Sequence, residues 1–167
     1  MKKLLGLFIA VTLSATIVHA QTGWIAYKGD DRISVKFPSE PKEAMPGTVI
    51  STVKDSTIAY VFTIVDFAQV AHIDSTALAP IKATPEFAAQ LKTGIKQGLP
   101  GVDLSDFKIG TWKGFTSYTS SGVDAQQKQY DIFMFIIGSK LYSLSTIRKQ
   151  NVSTENRDVY FSSIILK

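Results

Sequence analysis

The chain is 167 residues long, with 18 basic and 14 acidic side chains, two histidines and no cysteine. That composition excludes a disulfide framework and thiolate chemistry, so packing alone must hold the fold. The basic residues are scattered rather than gathered into a stripe that would track phosphates, which excludes nucleic acid as a partner.

Met1-Lys2-Lys3 is a short cationic start, followed by an apolar run from Leu4 to Val18. Val18-His19-Ala20 then places small residues where a signal peptidase cuts. Residues 1–20 read as a signal peptide, and 21–167 as a single domain beginning at Gln21. The apolar run is too short for a membrane span. Removal of Lys2 and Lys3 leaves 16 basic side chains against 14 acidic, a net charge of +2. His72 is then the sole histidine, and no cysteine follows the tag to carry a lipid. The product is expected to be periplasmic or extracellular.

Trp24 to Tyr27 predicts a short strand, with Gly29-Asp30-Asp31 as the turn after it. Arg32 to Phe37 alternates apolar and polar residues, the pattern of a half-buried strand, and Pro38 and Pro41 end it. Its charged face marks it as a guarded sheet edge, to which a partner could add a strand. Thr48 to Val53 is β-branched and predicts another strand. Thr57 to Phe67 carries apolar residues on both faces, which implies a central strand covered on both sides.

Thr84 to Leu99 predicts a helix. Thr84 is the expected N-cap, Pro85 suits the first helical position and Glu86 complements the dipole. Phe87, Leu91 and Ile95 repeat every four residues, and Gly98 with Pro100 supplies the stop. Leu78 to Pro80 reads as a separate short turn. Phe107 to Trp112 and Phe115 to Ser121 predict two strands, and Ser120 to Asp124 a loop. Tyr130 to Ile137 and Leu141 to Ile147 flank Gly138-Ser139, which predicts a tight hairpin. Ser153 is the expected cap of a short helix through Arg157 to Phe161, and Ser162 to Leu166 closes the chain as a strand. Strands, a helix, more strands and a final helix with short connections argue for an α+β fold with antiparallel pairing.

Three stretches carry a family resemblance. Ile33 to Pro41 (ISVKFPSEP) resembles the opening strand of PsbP-like domains, which ends in Phe-Pro-x-x-Pro. Gly138 to Leu144 (GSKLYSL) resembles their later hairpin. Tyr160 to Ile164 (YFSSI) is similar to their closing helix-to-strand signature, with Ile164 where phenylalanine is usual. The resemblance implies an α/β/α sandwich: a central antiparallel sheet with helices covering its faces. The Ran-binding Mog protein and DcrB-type bacterial envelope proteins share that fold. It also implies an accessory or binding role, although a fold does not carry its function with it. No photosystem-binding residue of the family has a counterpart here.

Chemistry has few places to reside. His72 lies between Asp66 and Asp74, the setting for a base oriented by a carboxylate or for a single metal ligand; an ordinary loop histidine is the competing reading. No Gly-x-Ser-x-Gly elbow is present, and a Ser-His-Asp set would have to use His72. Asp30-Asp31 and the Asp103, Asp106 pair lack the oxygen spacing of a calcium loop. Gly110 to Gly114 reads as a tight turn rather than a phosphate-binding loop. Trp24, Tyr27, Trp112, Phe115 and Tyr118 would line a groove for a peptide, sugar or lipid, or else fill core. Three functions follow as expectations. One is an exported, non-catalytic binding or accessory protein, without a cofactor, whose partner is a protein or small ligand of the cell envelope. Another is a small hydrolase or metal-assisted enzyme centred on His72. The last is a carrier of an apolar ligand held between the Thr84–Leu99 helix and the sheet.

Overall fold

A computed structural model describes residues 23–53 and 57–167. The expected signal peptide and the start at Gln21 lie outside the described residues.

Among the described residues, two antiparallel sheets stack on each other. The smaller has three strands, in the order β1 (Ile25–Lys28), β2 (Ile33–Phe37) and β11 (Ile165–Leu166). The larger has eight. Its path runs β3 (Lys42–Met45), β4 (Thr48–Thr52), β5 (Ile58–Asp66), β10 (Lys140–Arg148), β9 (Gln129–Ile137), β8 (Phe115–Val123) and β6 (Asp103–Leu104), with β7 (Lys108–Trp112) also paired to β8. Among the described residues, four helices complete the fold: α1 (Phe67–Val70), α2 (Ser75–Leu78), α3 (Pro85–Gly98) and α4 (Glu155–Ser162). The architecture is α+β, as the order of elements predicts.

The apolar character of the central strands explains the layering. In β9, Phe133, Phe135 and Ile137 face one side and Ile132, Met134 and Ile136 the other, following the two-residue period of a strand. Two cores result. One joins Phe135, Tyr142 and Leu144 of the large sheet to Ile33, Val35 and Phe37 of the small sheet and to Tyr160 of α4. The other joins Met134, Ile136, Tyr118 and Leu141 to Leu78, Phe87 and Ala88 of α2 and α3. Helices thus lie on both faces, but on the first face α4 shares the covering with the small sheet.

Several local expectations need correction. Strand β2 is no edge: it pairs with β1 on one side and β11 on the other, and the polar Ser34 is buried. The predicted loop Ser120 to Asp124 runs as strand through Val123, because β9 and β6 both pair with it. Phe67 does not end β5 but opens α1, capped by Asp66. In α3 the Thr84 cap and Pro85 stand as expected, yet the left-handed backbone falls at Gly101 rather than Gly98. Ser153 Oγ accepts from the Glu155 N–H at 3.1 Å, while the N-cap position of α4 is Thr154, without a side-chain cap.

Candidate functional site

A groove of about 610 Å³ opens between α4 and the β7–β8 end of the large sheet. Its floor is apolar. Trp112 lies 4.5 Å from Phe135 and 6.1 Å from Phe133, ring to ring, and Phe161 of α4 stands 6.0 Å from Phe133. The Lys113 ammonium sits 4.9 Å from the Trp112 ring, so the indole contacts a cation as well as the phenyl ring of Phe135. The β7–β8 hairpin presents Trp112 through a two-residue turn, Lys113-Gly114, both with positive φ (48° and 84°). Two such residues make a type I′ turn, whose twist matches that of the flanking strands.

The wall is charged and internally paired. Asp131, 9% exposed, stands just before the apolar run Ile132–Ile137 of β9 and faces α4. It accepts from Arg148 Nε at 3.1 Å and Arg157 Nη1 at 3.2 Å. Arg157 also reaches Asp158, with Nη2 at 2.7 Å, and Arg148 Nη1 donates to the Val152 carbonyl at 3.1 Å. Removing one partner would leave a half-buried charge uncompensated, so the cluster fixes α4 against the sheet. Burial works against the charged Arg157, but Asp158 and Asp131 outweigh it and raise its pKa. The cluster forms a rim of paired charges along the groove.

The residues singled out in the sequence do not converge. Trp112 lines the groove and Phe115 packs on the same core. Trp24 and Tyr27 also pack there, but through the small sheet: Trp24 stands edge-on to Tyr60 at 5.6 Å and Tyr27 edge-on to Phe37 at 5.9 Å. Tyr118 is fully buried on the opposite face, where its hydroxyl donates to the Lys82 carbonyl. Desolvation pushes its phenol far above the usual range. His72 is exposed, with φ 55°, in the link between α1 and α2. The carboxylates proposed to orient it are turned to the backbone. Asp66 accepts from the Ala68 N–H at 3.0 Å and the Ser139 hydroxyl at 2.9 Å, and Asp74 from the N–H groups of Thr76 and Ala77. The space between α3 and the sheet is filled by Phe87, Tyr118 and their neighbours.

Sequence reasoning missed Asp131, Arg148, Arg157 and Phe161. One signal was present: an aspartate at the head of an apolar strand run requires a buried partner. Nothing in the sequence says which arginine supplies it.

These layers define an α+β sandwich with the fold of PsbP proteins. The cyanobacterial PsbP (CyanoP) of Synechocystis sp. PCC 6803 superposes with a TM-score of 0.60 at 13% identity, over 87% of this chain and 93% of that one. A protein from Bacteroides thetaiotaomicron VPI-5482 gives a TM-score of 0.43 at 9% identity, over 87% of this chain and 48% of that one. Neither a protein-family model nor a curated sequence matches the chain.

Proposed function

We propose that this chain is an exported binding or accessory protein, without catalysis of its own, whose partner docks in the groove between α4 and β7. The observation that carries the reading is the groove itself: an aromatic floor of Trp112, Phe133 and Phe161 beside a rim whose carboxylates are already paired with arginines. Tryptophan and arginine in such settings carry most of the energy of protein recognition. The PsbP-like fold agrees with an accessory role, and residues 1–20 support export to the cell envelope. A hydrolase centred on His72 has less support, because Asp66 and Asp74 cap separate helices.

The test is an affinity capture from native envelope with the wild-type protein and Trp112→Ala as parallel baits. A partner held by the wild type and lost with the variant is the expected outcome. Equal retention by both baits removes the groove from the reading, and reproducible substrate turnover by the purified protein overturns the non-catalytic role.

A further inference from the structure

The large sheet ends in β6 and β7, which lie one after the other along the same side of β8. The Lys113-Gly114 turn makes Trp112 and Phe115 the hydrogen-bonded closing pair. Antiparallel alternation then turns the N–H and C=O groups of Ile109 and Thr111 away from β8. Among the described residues no other strand pairs with that side of β7, and Lys108 to Thr111 are exposed. The opposite end of the sheet is protected in a way that β7 is not. Strand β3 is bracketed by Pro41 and Pro46 and broken by a register shift between Glu43 and Met45.

Successive β7 side chains point into two different hollows. Lys108 and Trp112 face the groove beside α4. Ile109 faces a second hollow of about 460 Å³, walled by Pro85, Ala88 and Lys92 of α3. Gly110, between Lys108 and Trp112, has an ordinary φ, and a Cβ there would meet only the Ser117 hydroxyl, at 3.4 Å. The fold therefore does not require glycine at this position. A glycine within a strand is one of the settings in which another backbone or a ligand approaches closely.

Charge selects the occupant. Lys108 and Arg157 line the groove against Asp131 and Asp158; Arg148 bonds Asp131, Lys113 lies over Trp112, and in the second hollow Asp106 is paired with Lys92. Among the described residues the arginines are paired with these carboxylates, and Lys108 and Lys113 are the cations at this edge without an ion-pair partner.

We propose that β7 is a docking edge that takes an extended, acidic peptide segment of a partner protein as an added strand, with alternate side chains entering the two hollows. The proposal rests on the groove-binding reading and names its partner class. Backbone hydrogen bonds to Ile109 and Thr111 supply affinity, and the hollows and lysines supply selection.

The test uses the purified full chain to select from a displayed library of random seven-residue peptides, followed by fluorescence anisotropy of the enriched sequence. The expected peptides are acidic, with apolar residues at alternate positions. Thr111→Pro removes an outward N–H while sparing the ladder to β8, and is expected to weaken binding at least about tenfold. Gly110→Val keeps the edge N–H groups and narrows the groove, and the same loss is expected, so a folding defect in the proline variant does not decide the matter. Lys108→Glu is expected to weaken binding and flatten its salt dependence. Failure to enrich any sequence, or enrichment of basic ones, overturns the proposal. So does sedimentation showing a wild-type dimer that Thr111→Pro dissociates, which would make a second copy the occupant. If Trp112→Ala abolishes binding and Thr111→Pro does not, strand addition falls and the groove reading stands; if neither matters, both fall.

Discussion

Thr146 stands on β10 with its Oγ1 fully buried and, among the described residues, without a hydrogen-bond partner. A hydroxyl taken from water without a replacement bond is a cost that the near-isosteric valine removes. Thr146→Val is expected to raise stability by about 1 kcal/mol, read as a higher urea midpoint at unchanged slope; a lower midpoint would show that the hydroxyl is satisfied in solution. Tyr160 is the opposite case. It is equally buried, but its hydroxyl donates to the Val61 carbonyl at 2.9 Å and ties α4 to β5. The aromatics read in the sequence as groove or core divide on the same physical ground. Tyr118 is a core residue with one satisfied hydroxyl, and Trp112 is a half-exposed ring against the groove. Composition alone does not separate them, because each is an aromatic flanked by glycine, serine or threonine.

At the scale of elements, the β9–β10 hairpin was the plainest feature of the sequence. Its ladder runs from Lys140 opposite Ile137 to Arg148 opposite Gln129, across Gly138-Ser139. Gly138 has φ 62° and Ser139 does not share the positive value, the pattern of a type II′ turn. Gly138→Ala is expected to cost about 1–2 kcal/mol, partly because its Cβ would approach Arg32 Nη1 at 3.2 Å. Equilibrium denaturation tests this, and an unchanged midpoint would mean the turn relaxes freely. Helix α3 was equally legible through Thr84, Pro85 and its four-residue apolar repeat. The stretch Ser120 to Val123 was not. Its serines resemble a loop, but Ser105 and Ser120 bond across the strands, with Ser120 Oγ donating to the Ser105 carbonyl at 2.8 Å. Strands that satisfy polar side chains against one another leave no hydrophobic alternation to read.

In the whole molecule, Asp30 clasps the two sheets together. Its Oδ1 holds the β1–β2 turn through the N–H groups of Arg32 and Ile33, at 2.9 and 3.0 Å. Its Oδ2 accepts from Tyr142 at 2.8 Å and Lys140 at 3.1 Å, both on β10. Burial works to raise the Asp30 pKa, but the bonds from Tyr142, the two backbone amides and Lys140 outweigh it and hold it below the ordinary 3.8. The folded state then binds fewer protons than the unfolded one. The stabilisation is complete above about pH 4 and is lost as the pH falls through the lowered value. Asp30→Asn is expected to be less stable near neutrality and to have a flatter acid limb below about pH 4. Melting midpoints of both proteins across that range check it, and parallel curves would show that Asp30 does not titrate with folding.

The amino-acid sequence by itself determined the α+β class, the central strands, the main helix with its cap and the hairpin, because these depend on periodicity and on the backbone rules of proline and glycine. Only tertiary structure decided that β2 lies inside a sheet, that Asp30 bridges two layers, that Asp131 meets Arg148 and Arg157, and that β7 is left as an edge. Each of those depends on which distant segments become neighbours, and pairing across a hundred residues leaves no local periodic trace.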